Sequence, residues 1–173
     1  MSENTDEGHR RAGIGMLVAS WVVLLGLAAF AYDGWLGRLY NPNQDVETRL
    51  ANTGERVVTL RANRQHQYVS SGTIMGEPVV FMLDTGATDV VISAELAQQL
   101  SLPRLGSYIA RTANGEVRVF ATEIQSLSLG DIVLENVDAA INPAMYGRDV
   151  LLGMSALRDL EIRKADGVMT LVQ

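Results

Sequence analysis

The sequence has no cysteine and only two histidines, His9 and His66. The first absence excludes disulfide stapling, a thiol nucleophile and every thiolate metal site. The second excludes a multi-histidine metal centre. It also leaves His66 as the one base for any serine-type apparatus, because His9 sits in a charged N-terminal tail. Basic residues are in short supply: 14 Lys and Arg stand against 20 Asp and Glu, a formal net charge of −6. Without a basic surplus there is little to neutralise a run of phosphates, so nucleic acid is not an expected partner. A phosphate-binding glycine loop is missing too. No metal or cofactor is implied by any of these residues, and carboxylate chemistry is what the absences leave.

One long apolar run is present. Residues 12–32 (AGIGMLVASWVVLLGLAAFAY) contain no charge, and as a helix they would extend roughly 31 Å, about one bilayer hydrocarbon core. Tyr32 and Trp35 lie at the far end, where amphipathic rings favour the headgroup level. Ala29-Phe30-Ala31 matches a leader-cleavage pattern, which keeps a signal peptide open, but the run is longer than a usual leader core and an uncleaved anchor is favoured. A buried core helix is the bland alternative, and the small remaining domain has little with which to wrap one. Arg10 and Arg11 directly precede the run, whereas Arg38 and Arg49 follow at a greater distance. This predicts a single pass with a cytoplasmic N-terminus and the domain outside, periplasmic or otherwise extracytoplasmic. The expected organisation is a charged tail (1–11), a transmembrane anchor (12–32), a linker (33–54) carrying Asn41-Pro42-Asn43, and one domain (55–173). Residues 46–52 (VETRLAN) are compatible with a short helical turn in that linker.

From Glu55 onward, short apolar stretches rich in Val, Ile, Phe and Tyr alternate with turn residues, which predicts an all-β domain. Strands are expected at 56–62, 67–74 and 79–83, with a turn at Gly76-Glu77-Pro78. Asn114-Gly115 between 108–112 and 116–122 is a strong hairpin signal. Gly130-Asp131 separates 126–129 from 132–134, and Asp166-Gly167 separates 161–164 from 168–172. Two short helices interrupt the pattern: 94–100, capped by Ser93, and 155–160. Such closely spaced strands argue for a closed or sandwiched β fold.

The chemistry concentrates in residues 79–93, VVFMLDTGATDVVIS. An apolar strand delivers Asp84 to a tight turn, Thr85-Gly86-Ala87, before a second apolar run. Gly86 permits a conformation or close approach that a side chain would forbid. A carboxylate held among apolar strands is expected to be desolvated, which raises its pKa. A plain Asx-turn at the end of a strand is the bland alternative.

The flanks decide between them. An apolar pair followed by Asp84-Thr85-Gly86-Ala87-Thr88 and a second apolar run resembles the active-site signature of aspartic proteases, and Ala87 resembles the retropepsin-like branch. Val150-Leu151-Leu152-Gly153 leading into Met154–Leu157 resembles the segment that packs behind that site in the family. The Asn114-Gly115 hairpin falls between the two motifs, where the family carries its flap. The resemblance covers about residues 55–173. It implies a single-lobed, closed β barrel of the acid-protease type with one or two short helices, preceded here by one transmembrane helix. It further implies peptide or protein substrates, with Asp84 as the catalytic group and Asn114 and Gly115 at the flap tip. Retroviral members usually carry an Asp where this chain has Thr88 and an Arg where it has Met154, so their ion pair is lost from both ends at once. Asp89 remains as a carboxylate to line the cleft.

Only one Asp-Thr-Gly occurs, while aspartic protease chemistry needs two carboxylates sharing a proton. Residues 55–173 are also short for two such lobes. The implied unit is therefore a homodimer in which Asp84 of each chain faces the other across a two-fold axis. Many pepsin-like relatives have Ser at the position of Ala87, whose hydroxyl can lower the carboxylate pKa, so a weakly acidic optimum is expected here. A serine hydrolase is a poor rival, since Gly153-Met154-Ser155-Ala156-Leu157 lacks the final Gly of the nucleophile elbow. The alternative of another class is a non-catalytic, membrane-tethered β module that binds peptides or serves as a scaffold.

Overall fold

A computed structural model describes residues 4–112 and 115–173, with residues 4–14 described by their backbone alone. The chain divides into two compact units between Arg38 and Leu39. The first unit is helical: α1 runs Asn4–Tyr40. From Gly15 to Tyr40 it is long and apolar enough to cross a membrane, and none of its most apolar window is buried. Leu17, Val22, Leu25 and Phe30 all stand exposed, so this is not the core helix of a soluble fold.

The second unit holds eleven strands among the described residues. A four-stranded antiparallel sheet contains β1 (Thr48–Leu50), β2 (Arg56–Arg61), β10 (Glu161–Ala165) and β11 (Val168–Val172), in the order β1-β2-β11-β10. The larger sheet contains β3 (Tyr68–Ile74), β4 (Glu77–Leu83), β5 (Val90–Ser93), β6 (Gly106–Thr112), β7 (Gly115–Leu129), β8 (Ile132–Asn142) and β9 (Asp149–Leu152). Its order is β3-β4-β9-β5-β8-β7-β6. Strand β3 also pairs with β7 through Thr73–Ser128 and Ile74–Leu127. The ladder from β3 round to β7 thus closes on itself, and β6 hangs outside the ring.

Alternation along the strands fills the interior, because successive side chains point to opposite faces. Val58 and Leu60 of β2, Phe81 of β4, Ile124 and Leu127 of β7, Ile132 of β8 and Leu171 of β11 are all buried in one core. Each such side chain contributes about 1.5–3 kcal/mol on burial. The Asp166-Gly167 hairpin has positive φ at both residues (50° and 75°), as its two-residue turn demands. Helix α2 (Ala94–Gln99) starts on Ser93, whose Oγ accepts from Leu96 N at 3.1 Å. Helix α3 (Met154–Leu157) is a single turn, shorter than the expected 155–160.

Three further local expectations differ from what is found. The helix continues to Tyr40, well into the stretch read as linker. The rest of that stretch is tied to the domain. Asn43 donates from Nδ2 to the Arg61 and Val69 carbonyls at 2.9 and 2.7 Å, and its Oδ1 accepts from Arg61 N at 2.8 Å. Its backbone carbonyl accepts from Ser71 N at 3.0 Å. Residues 46–52 contain a strand, β1, and not a helical turn: Val46 packs on the core and Thr48 Oγ1 accepts from Asp131 N. Lastly, the two strands expected at 116–122 and 126–129 are one strand, β7: the ladder with β8 skips Gln125 but resumes in the same register at Ser126, opposite Glu135.

Candidate functional site

Asp84 follows the last residue of β4, and Val90 opens β5. Strand β9 runs parallel to β4, with Leu83 opposite Leu152, and meets β5 where Val91 faces Leu151. The Leu151-Leu152-Gly153 segment therefore passes directly behind the loop that joins them. Asp84 N donates to the Leu152 carbonyl at 3.1 Å. Within the loop, Ala87 N donates to the Asp84 carbonyl at 3.1 Å, and Asp84 Oδ1 accepts from Gly86 N at 2.9 Å. The other carboxylate oxygen has no partner among the described residues. Asp84 is half-buried, Leu152 and Gly153 are buried, and Thr85 is exposed with no side-chain partner among the described residues.

Behind the loop the packing is close. Met154 N donates to the Ala87 carbonyl and Ser155 N to the Thr88 carbonyl, both at 2.8 Å. Main-chain bonds thus hold Met154 to Ala87 and Thr88 to Ser155, at the two positions where retroviral members usually carry an ion pair. A Cβ on Gly153 would lie 2.2 Å from the Asp89 carbonyl oxygen and 2.8 Å from that of Ala87, so only glycine fits. Ser155 is buried; its Oγ donates to the Asp138 carbonyl at 2.7 Å and accepts from Val90 N at 2.9 Å. It is a structural brace and not an exposed nucleophile.

In front of the loop lies a cleft of about 770 Å³. Asp84, Gly86, Ala87, Thr88 and Asp89 line one side, with Leu151 and Val91 beside them; Tyr108, Ile109, Val117 and Val119 line the other. These last residues belong to a ribbon made by β6 and the first part of β7. The ladder from β7 to β8 begins only at Phe120, so residues 115–119 pair with β6 alone. Tyr108 Oη donates to Asp89 Oδ2 at 2.5 Å. Burial, then the hydrogen bond to the Asp89 carboxylate and its charge, pushes the Tyr108 hydroxyl up to about 12.

Of the residues singled out by sequence, Asp84, Gly86, Ala87, Thr88, Asp89 and Leu151 share this cleft. Gly115 opens β7 opposite Thr112, at the far end of the ribbon, and Asn114 lies outside the described residues. Sequence reasoning missed Tyr108, Val91 and Val119. Their signal was the alternation of the strands, which names a face without saying that it roofs a cleft. Among the described residues no group of three or more His, Cys, Asp or Glu is placed to hold a metal ion.

Residues 70–159 match the family described as gag-polyprotein putative aspartyl protease. A Sinorhizobium protein described as an uncharacterized protein in the cobV 5′ region is 26% identical over 161 residues, covering 90% of this chain and 69% of that one. A solved retropepsin-like aspartic protease from Rickettsia conorii superposes with a TM-score of 0.57 at 23% identity, covering 74% of this chain and 95% of the other. That likeness is one of fold.

Proposed function

Because the chain belongs to the gag-polyprotein putative aspartyl protease family, and so to the retropepsin-like aspartic proteases, we propose that it is an aspartic endopeptidase in which Asp84 is the catalytic carboxylate. The observation that carries this reading is the setting of Asp84. It stands at the mouth of a loop braced from behind by Leu152, Gly153 and Met154, with one oxygen held by Gly86 N and the other open beside a peptide-sized cleft.

The chemistry needs a second carboxylate, and the chain holds a single Asp-Thr-Gly. We assign the second to the partner's Asp84 in a symmetric homodimer. Two such carboxylates share one proton, since like charges about 3 Å apart resist joint ionisation. The ionised one takes a proton from a water as its oxygen attacks the scissile carbonyl carbon. The protonated one passes its proton to the carbonyl oxygen. Collapse of the tetrahedral intermediate then breaks the C–N bond, with a proton delivered to the leaving nitrogen. The exposed Thr85 hydroxyl is free to bond across the same axis, and Thr88 and Asp89, which line the cleft, would meet substrate there.

The exposed apolar face of α1 supports an anchor in the membrane. Arg10 and Arg11 before it favour a cytoplasmic N-terminus with the protease domain on the other side. Tethering would also raise the local concentration of chains and favour the dimer.

The test is the full chain in detergent micelles, with Asp84→Asn, against a peptide library. The expected result is cleavage by the parent and none by the variant, with peptide binding retained in both. Cleavage that persists in Asp84→Asn overturns the assignment. Equal binding with no cleavage by either form overturns it in favour of the non-catalytic module.

A further inference from the structure

We infer that Tyr108 is a positioning residue: its hydroxyl, bonded to Asp89, holds the β6–β7 ribbon at a set height over the Asp84 loop. Its consequence for catalysis rests on the reading of Asp84 given above, whereas the contact itself does not.

The two ends of this bond differ in kind. Asp89 stands on fixed ground. Its carbonyl lies against Gly153 so closely that no side chain fits between them. The Thr88 carbonyl before it accepts from Ser155 N, and Val90 N after it donates to Ser155 Oγ. Tyr108 sits on an element with freedom. Strand β6 is the outermost of its sheet, pairs with β7 alone among the described residues, and is nearly all exposed. Residues 115–119, its partners, have no other strand beside them among the described residues. A two-stranded ribbon is marginal by itself, so its height depends on what ties it down. A phenol donating to a carboxylate is among the stronger such ties, because the acceptor is charged. The hydroxyl keeps its proton throughout the neutral range. Both residues line the cleft, so the tie spans the opening through which a peptide would pass.

The chain has no cysteine of its own, so a pair of spin labels can be placed without background. Arg118 on the ribbon and Arg64 in the loop before β3 are both exposed. The double variant Arg118→Cys, Arg64→Cys would be labelled as full chain in detergent micelles. It would be diluted with unlabelled chain so that each assembly holds one pair, and read by pulsed electron spin resonance. Tyr108→Phe keeps the ring and removes the donor, and Asp89→Leu keeps the side-chain size and removes the acceptor. Each is expected to raise the population of displaced ribbon about tenfold or more, the lower end of the worth of one charge-assisted hydrogen bond. Combining them should add nothing further. An unchanged distance distribution in both variants overturns the inference, and so does an effect that doubles when they are combined. Peptide hydrolysis is measured in parallel. Distances that shift together without hydrolysis in any form sustain the tie while sinking the protease reading. Hydrolysis with distances that do not move sinks the tie alone.

Discussion

Gly153→Ala is the most informative single change, because its effect follows from the distances around that residue. The new Cβ would lie 2.2 Å from the Asp89 carbonyl oxygen, 2.7 Å from the Asp89 carbonyl carbon and 2.8 Å from the Ala87 carbonyl oxygen. All three are backbone atoms, so no side chain can swing aside. The closest contact is roughly 1 Å too short, and either the loop or the Leu152–Met154 segment must move by that amount. Forcing a methyl group into a filled interior costs about 1–3 kcal/mol. The same movement strains the bonds from Met154 N to the Ala87 carbonyl and from Ser155 N to the Thr88 carbonyl, each worth about 1 kcal/mol. The sum is about 3–5 kcal/mol, a large part of the roughly 5–15 kcal/mol that holds a typical domain together. Calorimetry should show the domain's unfolding midpoint lowered by about 10–20 °C. The loop that moves carries Asp84, so peptide hydrolysis at a temperature where the domain stays folded should fall about a hundredfold. A variant that melts with the parent and cleaves at the parental rate would refute the claim that this contact positions the loop.

Three further outcomes are expected. Asn43→Ala strips partners from Arg61 N and the Arg61 and Val69 carbonyls and should cost about 2–4 kcal/mol by chemical denaturation; a chain trimmed to begin at residue 55 should be destabilised at least as much, whereas Arg64→Ala should be neutral. Tyr108 titrates near 10 unfolded but near 12 in the folded chain, so its contribution to stability is complete below pH 10 and lost as pH rises to 12; unfolding in that window should therefore show a steeper fall for the parent than for Tyr108→Phe. Ala87→Ser offers the Asp84 loop a hydroxyl and should move the acidic limb of the hydrolysis profile downward, while maximal parental activity at about pH 2 would contradict the role given to Ala87.

Much of the domain was legible because its signals are local. The Asp166-Gly167 turn, the Ser93 cap and the alternation that buries Val58, Leu60, Phe81 and Ile124 each follow from a few neighbouring residues. The Asp84 loop stands out in the sequence for another reason: its residue types match a known pattern over two separate stretches, and the second of these, β9, lies beside β4 and β5. What escaped depends on partners distant in sequence. Asn41-Pro42-Asn43 reads as a turn in a linker, and only the arrival of Arg61 and Val69 makes Asn43 a clasp. Residues 48–50 form a strand because β2 lies beside them. Tyr108 is an ordinary strand residue until β6 is carried over the loop that holds Asp89. Ser155 was weighed as a nucleophile and is a brace between β5 and the Asp138 carbonyl, which no spacing rule reveals.

The central claim is that one peptide-cleaving centre takes Asp84 from each of two chains, and mixed assemblies test it most directly. Parent and Asp84→Asn chains would be co-expressed in equal amounts, purified together in detergent micelles, and assayed at fixed total concentration against the all-parent sample. If each centre needs two Asp84 carboxylates and chains assort at random, about a quarter of the dimers are competent and activity falls to about a quarter. Activity that falls only to half would mean that each chain works with its own carboxylate, and the shared-centre account would be wrong.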